Sequence, residues 1–246
     1  MKTHPRPSHL DPGRGLTEEF VALPGGRRLR AVTAGGGDGP PVVFEAGMSA
    51  PAASWVHTQR EVSAHTRTLA YDRAGYGGSD PDPRDRTLER LADDLAGLLD
   101  GLGETRPAVL VGHSWGGPVI RLFAERHPHR VAGLVFVDAT VAEIMGTREA
   151  RLAAWSFGVL VLLARLGGRN LLRTVPRVSS TIEASDVDIM FRDYACVRAM
   201  RAGRREAAQI VPALATMRRL QAAGTPDVPT LCLRRGAFAW SKAPAT

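Results

Sequence analysis

Residues 108–118, Ala108-Val109-Leu110-Val111-Gly112-His113-Ser114-Trp115-Gly116-Gly117-Pro118, decide the fold: a short apolar run breaks there into glycines around a single serine. An apolar run of this length reads as a buried parallel strand, and Gly112 to Gly116 fit the G-x-S-x-G nucleophile elbow. The spacing has a steric reason. A serine on a sharp strand-to-helix turn takes a strained backbone conformation, and only small residues two positions either side let strand and helix pass. Ser114 Oγ is then expected above the sheet, at the start of a helix whose amides and dipole favour a developing oxyanion. Five residues also fit a chance glycine-rich turn, so the flanking sequence has to decide.

Upstream, residues 1–18 are polar and proline-rich and read as a flexible leader. Phe20 to Leu23 and Arg28 to Thr33 flank Pro24-Gly25-Gly26, the pattern of two strands joined by a tight turn. Val42 to Gly47 is an apolar strand ending in glycine, where a backbone amide can be presented to a ligand, and a helical stretch follows from Ala52 to about His65. Thr68 to Asp72 is a further strand. Its loop, Asp72 to Asp80, has glycines in neither the dinucleotide-binding nor the phosphate-loop order. Leu88, Leu91, Leu95, Leu98, Leu99 and Leu102 follow helical spacing and lead into the elbow strand.

Downstream of the elbow, a helix to about His127 and the apolar strand Val131 to Val137 complete an alternation that predicts an α/β fold with a mostly parallel sheet covered on both faces. From residue 141 to 225 the periodicity is helical throughout, which predicts a cap over the active end of the sheet. Val228 to Leu233 returns to a strand pattern. The domain reading is therefore a leader at 1–18, a core at 19–140 and 226–246, and a helical cap at 141–225.

The 32 basic and 25 acidic residues give a formal charge of +7, but the arginines are scattered and not interleaved with aromatics, so no nucleic-acid partner is expected. Cys196 and Cys232 have no metal-ligand or redox spacing, which predicts a cytoplasmic protein without metal or cofactor. The N-terminus lacks the apolar centre of a signal peptide. The apolar stretch Leu152 to Ala164 is interrupted by Ser156 and Gly158 and falls short of the roughly 20 residues that cross a bilayer, so no membrane partner is expected.

Taken together, the strand Val42 to Gly47, the loop Tyr71 to Asp80, the elbow Val109 to Gly117 and the strand Gly133 to Thr140 resemble the α/β-hydrolase fold family, in particular small serine hydrolases with a helical cap. The resemblance runs from about Phe20 to Leu233. It implies that Ser114 is the nucleophile and that the backbone amides of Trp115 and Met48 form the oxyanion hole, with Gly112 and Gly116 as elbow glycines. Relatives that form alkyl-enzyme esters carry aspartate at the elbow, so Ser114 points to acyl transfer to water from a small ester or related acyl substrate.

The resemblance also implies an acid and a histidine late in the chain. No histidine follows His129 and no acid follows Asp227. Asp138, after its strand, is the remaining candidate acid, and a cap or loop hydrogen bond is its structural alternative. His57, in the helix after Met48, is the candidate surrogate base, whereas His113 is expected to turn away from Ser114 and pack. Asp72, beside Arg73, is expected to form a structural ion pair with its loop. The tail from Arg234 abandons the family pattern, which predicts a sheet without its last strand and helix, an exposed Val228 strand edge and self-association through it. The alternatives to an active serine hydrolase are a C-terminally truncated, inactive member and, third, a basic interaction module.

Overall fold

The computed structural model describes residues 15–142, 146–166, 184–234 and 237–241. Their strands form an eight-stranded sheet in the order β1-β2-β4-β3-β5-β6-β7-β8, made of β1 (Leu16–Ala22), β2 (Arg28–Ala34), β3 (Val42–Glu45), β4 (Thr68–Tyr71), β5 (Ala108–His113), β6 (Val131–Val137), β7 (Thr230–Arg234) and β8 (Ala237–Ser241). The five strands from β4 to β7 run parallel, and β1, β2 and β8 are antiparallel to their neighbours.

Local chemistry explains the elements. Leu23 and Arg27 close the β1–β2 hairpin, and Gly25 and Gly26 take φ of 92° and 83°, a conformation that a side chain would oppose. The first strand begins at Leu16, earlier than the leader boundary predicts, because Leu16 buries its side chain and pairs with Ala34. Helix α1 (Val56–Ser63) follows a short 3-10 turn, Ala52–Trp55. Helix α2 (Leu88–Gly101) opens on Thr87, whose hydroxyl accepts from the Arg90 amide, and it buries Leu88, Leu91, Leu95, Leu98 and Leu99 on the face that the leucine spacing predicts. Helix α3 (Gly116–Arg126) leaves the elbow and packs against α2 and β5.

Between β6 and β7 lie α4 (Thr147–Leu166), α5 (Ala184–Tyr194), α6 (Val197–Ala207) and α7 (Ile210–Ala222), all helical as the periodicity predicts. The expected cap also includes residues 143–145 and 167–183, which lie outside the described residues.

The tail differs from expectation. Ala237–Ser241 pairs antiparallel with β7, Leu231 opposite Trp240, so β7 is an interior strand and the sheet edge belongs to β8. The segment Ala237-Phe238-Ala239-Trp240 is apolar and supplies the backbone partners that β7 would otherwise leave open.

Strand order reverses between β3 and β5. The chain steps from β3 to β4 in one direction and from β5 to β6 in the other, which opens a crevice at the carboxyl ends of β3 and β5. Glu45 and Gly112 pair across that boundary, so the loops after β3 and β5 face each other.

Candidate active site

Ser114 follows β5 directly and has φ 51°, a left-handed conformation uncommon for a side-chain-bearing residue. Its amide donates to Val137 O (3.1 Å), and its carbonyl accepts from Gly117 N (3.1 Å) and Thr140 N (3.0 Å). The elbow glycines are required by contact. A Cβ on Gly112 would meet Gly116 O at 2.7 Å, and one on Gly116 would meet Glu45 O at 2.3 Å.

Facing the elbow is the loop after β3. Arg73 Nη1 donates to Ala46 O (2.5 Å) and Nη2 to Gly47 O (2.8 Å). Because a trans peptide holds its C=O and N–H on opposite sides, the grip on Gly47 O turns the Met48 N–H away from Arg73. The bonds to Ser114 O likewise turn the Trp115 N–H away from Gly117 and Thr140. Neither the Met48 nor the Trp115 amide has a hydrogen-bond partner among the described residues.

Gly47, Met48, Ser114 and Trp115 share a pocket of about 480 Å³ with Pro51, Ser54, His113 and Thr140 from the core and with Ala153, Phe157, Met190, Tyr194 and Ile210 from the helices after β6. Its lining is predominantly apolar, and burial pushes the Tyr194 hydroxyl pKa up.

His113 departs from expectation. It lines the same pocket as Ser114, edge-on to Trp55 with ring centroids 6.4 Å apart. A Cβ placed on Gly47 would lie 3.2 Å from His113 Nδ1 and 3.3 Å from Ser114 Cβ, so the three residues converge on one point. The left-handed turn at Ser114 breaks the strand alternation that would send the two side chains to opposite faces. Surrounding protein pushes the His113 pKa down, and Asp138 opposes the shift.

His57 lies on α1 with an exposed side chain and is not among the residues lining the pocket. Asp138 directly follows β6 with φ 44°, donates its amide to Leu233 O (2.8 Å), and lines a neighbouring cavity of about 520 Å³ with Thr140 at the boundary of both. The structure therefore brings together Ser114, Met48, Trp115, Gly112 and Gly116, places Asp138 next door, and leaves His57 outside.

Asp72 also differs from its reading. It pairs with Arg30 (2.5 Å) and accepts from the amides of Ala52 (2.7 Å) and Gly78 (2.8 Å), and so ties the Asp72–Asp80 loop to β2 and to the turn before α1. Arg73 pairs instead with Glu45 (2.5 Å) and, through a two-point contact, with Glu206 of α6 (3.0 and 2.8 Å).

A sequence model described as the alpha/beta hydrolase fold matches residues 40–164. The chain belongs to the α/β-hydrolase fold family. This α/β hydrolase is 39% identical over 123 residues to epoxide hydrolase A of Mycobacterium tuberculosis, covering 49% of the chain and 38% of the relative. It is 39% identical over 104 residues to a non-heme chloroperoxidase of Streptomyces lividans, covering 42% and 37%. These matches span less than half the length of either relative. Among solved structures, Cfl2 of Burkholderia cenocepacia superposes with a TM-score of 0.76 at 25% identity, covering 90% of this chain and 81% of that one. A thermophilic esterase of Thermogutta terrifontis superposes at 0.66 with 26% identity, covering 92% and 82%.

Sequence reasoning misses the pocket walls contributed by Phe157, Met190, Tyr194 and Ile210. Helical periodicity marks which residues are apolar, but a buried face and a pocket face carry the same signal.

Proposed function

We propose that this α/β hydrolase is a serine hydrolase that cleaves a small, fairly apolar carboxylic ester or related acyl substrate through an acyl-enzyme. The reading rests on Ser114: a serine held at φ 51° that lines an apolar pocket with Met48 and Trp115, whose amides have no partner among the described residues. Ser114 Oγ adds to the acyl carbon, and the resulting oxyanion receives hydrogen bonds from the Met48 and Trp115 amides. Collapse expels the alcohol, and water then releases the acid and restores Ser114. Each amide donor contributes about 3 kcal/mol of barrier reduction in sites of this kind. Serine at the elbow favours this acyl chemistry over the alkyl-enzyme route of aspartate-bearing relatives.

The imidazole that shares the pocket is His113. Its lowered pKa keeps it neutral and able to accept a proton near neutral pH. No hydrogen bond joins it to Ser114 among the described residues, so in this reading one water carries the proton between them. The same missing contact favours a second reading, a catalytically inactive member whose elbow persists without a working base.

A chromogenic short-chain ester assay combined with a serine-directed phosphonate probe separates the two. Turnover lost in Ser114→Ala and sharply reduced in His113→Gln supports the hydrolase. Labelling of Ser114 without turnover supports the second reading, and silence in both assays refutes the proposed activity.

A further inference from the structure

We infer that Arg73 and Glu206 are positioning residues that let helix α6 set the oxyanion-hole loop, so that the helices after β6 govern the Met48 amide as well as the pocket wall. The inference rests on the serine-hydrolase reading above and adds a control point to it. Arg73 has five N–H donors, and all five are committed: Nε and Nη2 to the two Glu206 oxygens, Nη1 to Glu45 Oε1 and Ala46 O, and Nη2 to Gly47 O. Two of these bonds fix the carbonyls immediately before Met48. Two more reach across 133 residues of sequence to α6.

The guanidinium is planar, so its Glu206 edge and its carbonyl-gripping edge move as one body. Shifting α6 therefore rotates the bonds that hold Gly47 O, and with them the peptide plane that carries the Met48 N–H. A second contact follows the same path. Ser49, at φ 62°, donates its hydroxyl to Ala199 O of α6 (3.4 Å), and a Cβ on Gly203 would lie 1.9 Å from Ser49 Oγ. The loop is thus tied to α6 on both sides of Met48, through Arg73 before it and directly at Ser49 after it. Arg86 supplies the comparison. It donates to Glu206 Oε1, the oxygen that Arg73 Nε also binds, and bonds neither loop carbonyl.

The test uses Glu206→Gln, Arg73→Lys and Arg86→Gln in the full chain. For each, the maximal rate of Ser114 acylation and the apparent Kd for a p-nitrophenyl ester are measured in single turnover, with amide hydrogen exchange of the segment Phe44 to Ala50. Glu206→Gln and Arg73→Lys are expected to slow acylation at least tenfold with Kd changed less than about threefold, and to speed exchange in that segment. Arg86→Gln, which breaks the same ion cluster, is expected to stay within about threefold of the parent in rate. Rates that follow melting temperature across all three variants, or unchanged exchange in Glu206→Gln, would overturn the inference. If the parent protein shows no acylation, faster exchange in Glu206→Gln but not in Arg86→Gln still supports the coupling, and the hydrolase reading alone fails.

Discussion

Replacing Glu206 with Gln removes one charge from a buried set of four. Glu45 and Glu206 face Arg73 and Arg86, and all four side chains are at most 2% exposed. In the parent protein two negative and two positive groups balance. In Glu206→Gln, Arg73 keeps Glu45, but Arg86 loses the one carboxylate it pairs with among the described residues. Removing one partner of a buried pair costs about 3–5 kcal/mol, because the other charge stays buried without compensation. For a chain of this size the cost corresponds to a melting temperature lower by about 6–20 °C. Adding Arg86→Gln restores the balance, so the double variant should melt above Glu206→Gln alone, a non-additivity that simple loss of packing does not give. Calorimetry of the parent, both single variants and the double variant checks this.

The same cluster predicts a pH dependence. Burial acts to raise the Glu206 pKa, yet Arg73 and Arg86 outweigh it and the net shift is downward. Burial raises the Glu45 pKa, and Arg73 and Tyr71 only partly offset it. A lowered carboxylate pKa stabilises the fold above its unfolded value, about 4.3, and that contribution is lost as pH falls through the folded pKa. Glu45 has the opposite sign, its contribution fading as pH rises through its folded pKa. The gap in melting temperature between parent and Glu206→Gln should therefore narrow below about pH 4.3. A Glu206→Gln variant that melts within 2 °C of the parent, to use a rough margin small beside the expected shift, or a double variant no better than the single, would refute the charge-balance argument.

Three further outcomes concern the site itself. Ser114→Gly should abolish phosphonate labelling yet stabilise the protein by about 1 kcal/mol, since glycine accepts the left-handed φ of 51° that serine opposes; thermal melts with unchanged or lower stability would contradict this. Gly116→Ala should destabilise by about 3 kcal/mol and reduce labelling, because the new Cβ meets the Glu45 carbonyl at 2.3 Å and backbone cannot swing aside; denaturant melts and labelling rates report both effects. Burial lowers the His113 pKa against the pull of Asp138, so the acid limb of kcat/KM should fall below the ordinary imidazole value of about 6.5 and should disappear in His113→Gln.

The elbow was legible because its requirement is local. Gly112 and Gly116 are small for reasons that lie within a few residues or one strand away, and the apolar run before them has the length of a buried strand. The alternation of strands and helices from Val42 to Val137 was legible for the same reason. The partners of Arg73 were not. Adjacency in sequence points to Asp72, but successive residues at a strand end point to opposite sides, and each has its counter-charge elsewhere in the chain: Asp72 in Arg30 of β2, which also pairs with Asp193, and Arg73 in Glu45 and Glu206. His113 escapes the sequence for the opposite reason: strand alternation sends it away from Ser114, and the left-handed turn at Ser114 cancels that alternation. The strand in the tail is concealed because the resemblance offers no counterpart after Arg234 for the apolar run Ala237 to Trp240, which pairs with β7.

Backbone strain marks the candidate functional edge of the sheet. Among the described residues, the non-glycine positions with left-handed φ are Ser49 at 62°, Ser114 at 51° and Asp138 at 44°. They follow β3, β5 and β6, three consecutive neighbours in the sheet, and all lie beyond the carboxyl ends of those strands. Such conformations cost about 1–3 kcal/mol each and persist where surrounding contacts over-determine them. The contacts are visible: Ser49 bonds α6, Ser114 is fixed by Val137 and Thr140, and Asp138 is fixed by Leu233 of β7. Ser49 and Ser114 flank the proposed oxyanion hole, and Asp138 acts electrostatically on His113, which shares the pocket. Strain, pocket and open amides therefore coincide at the crevice where strand order reverses, and this coincidence ties the reading of Ser114 to the sheet as a whole.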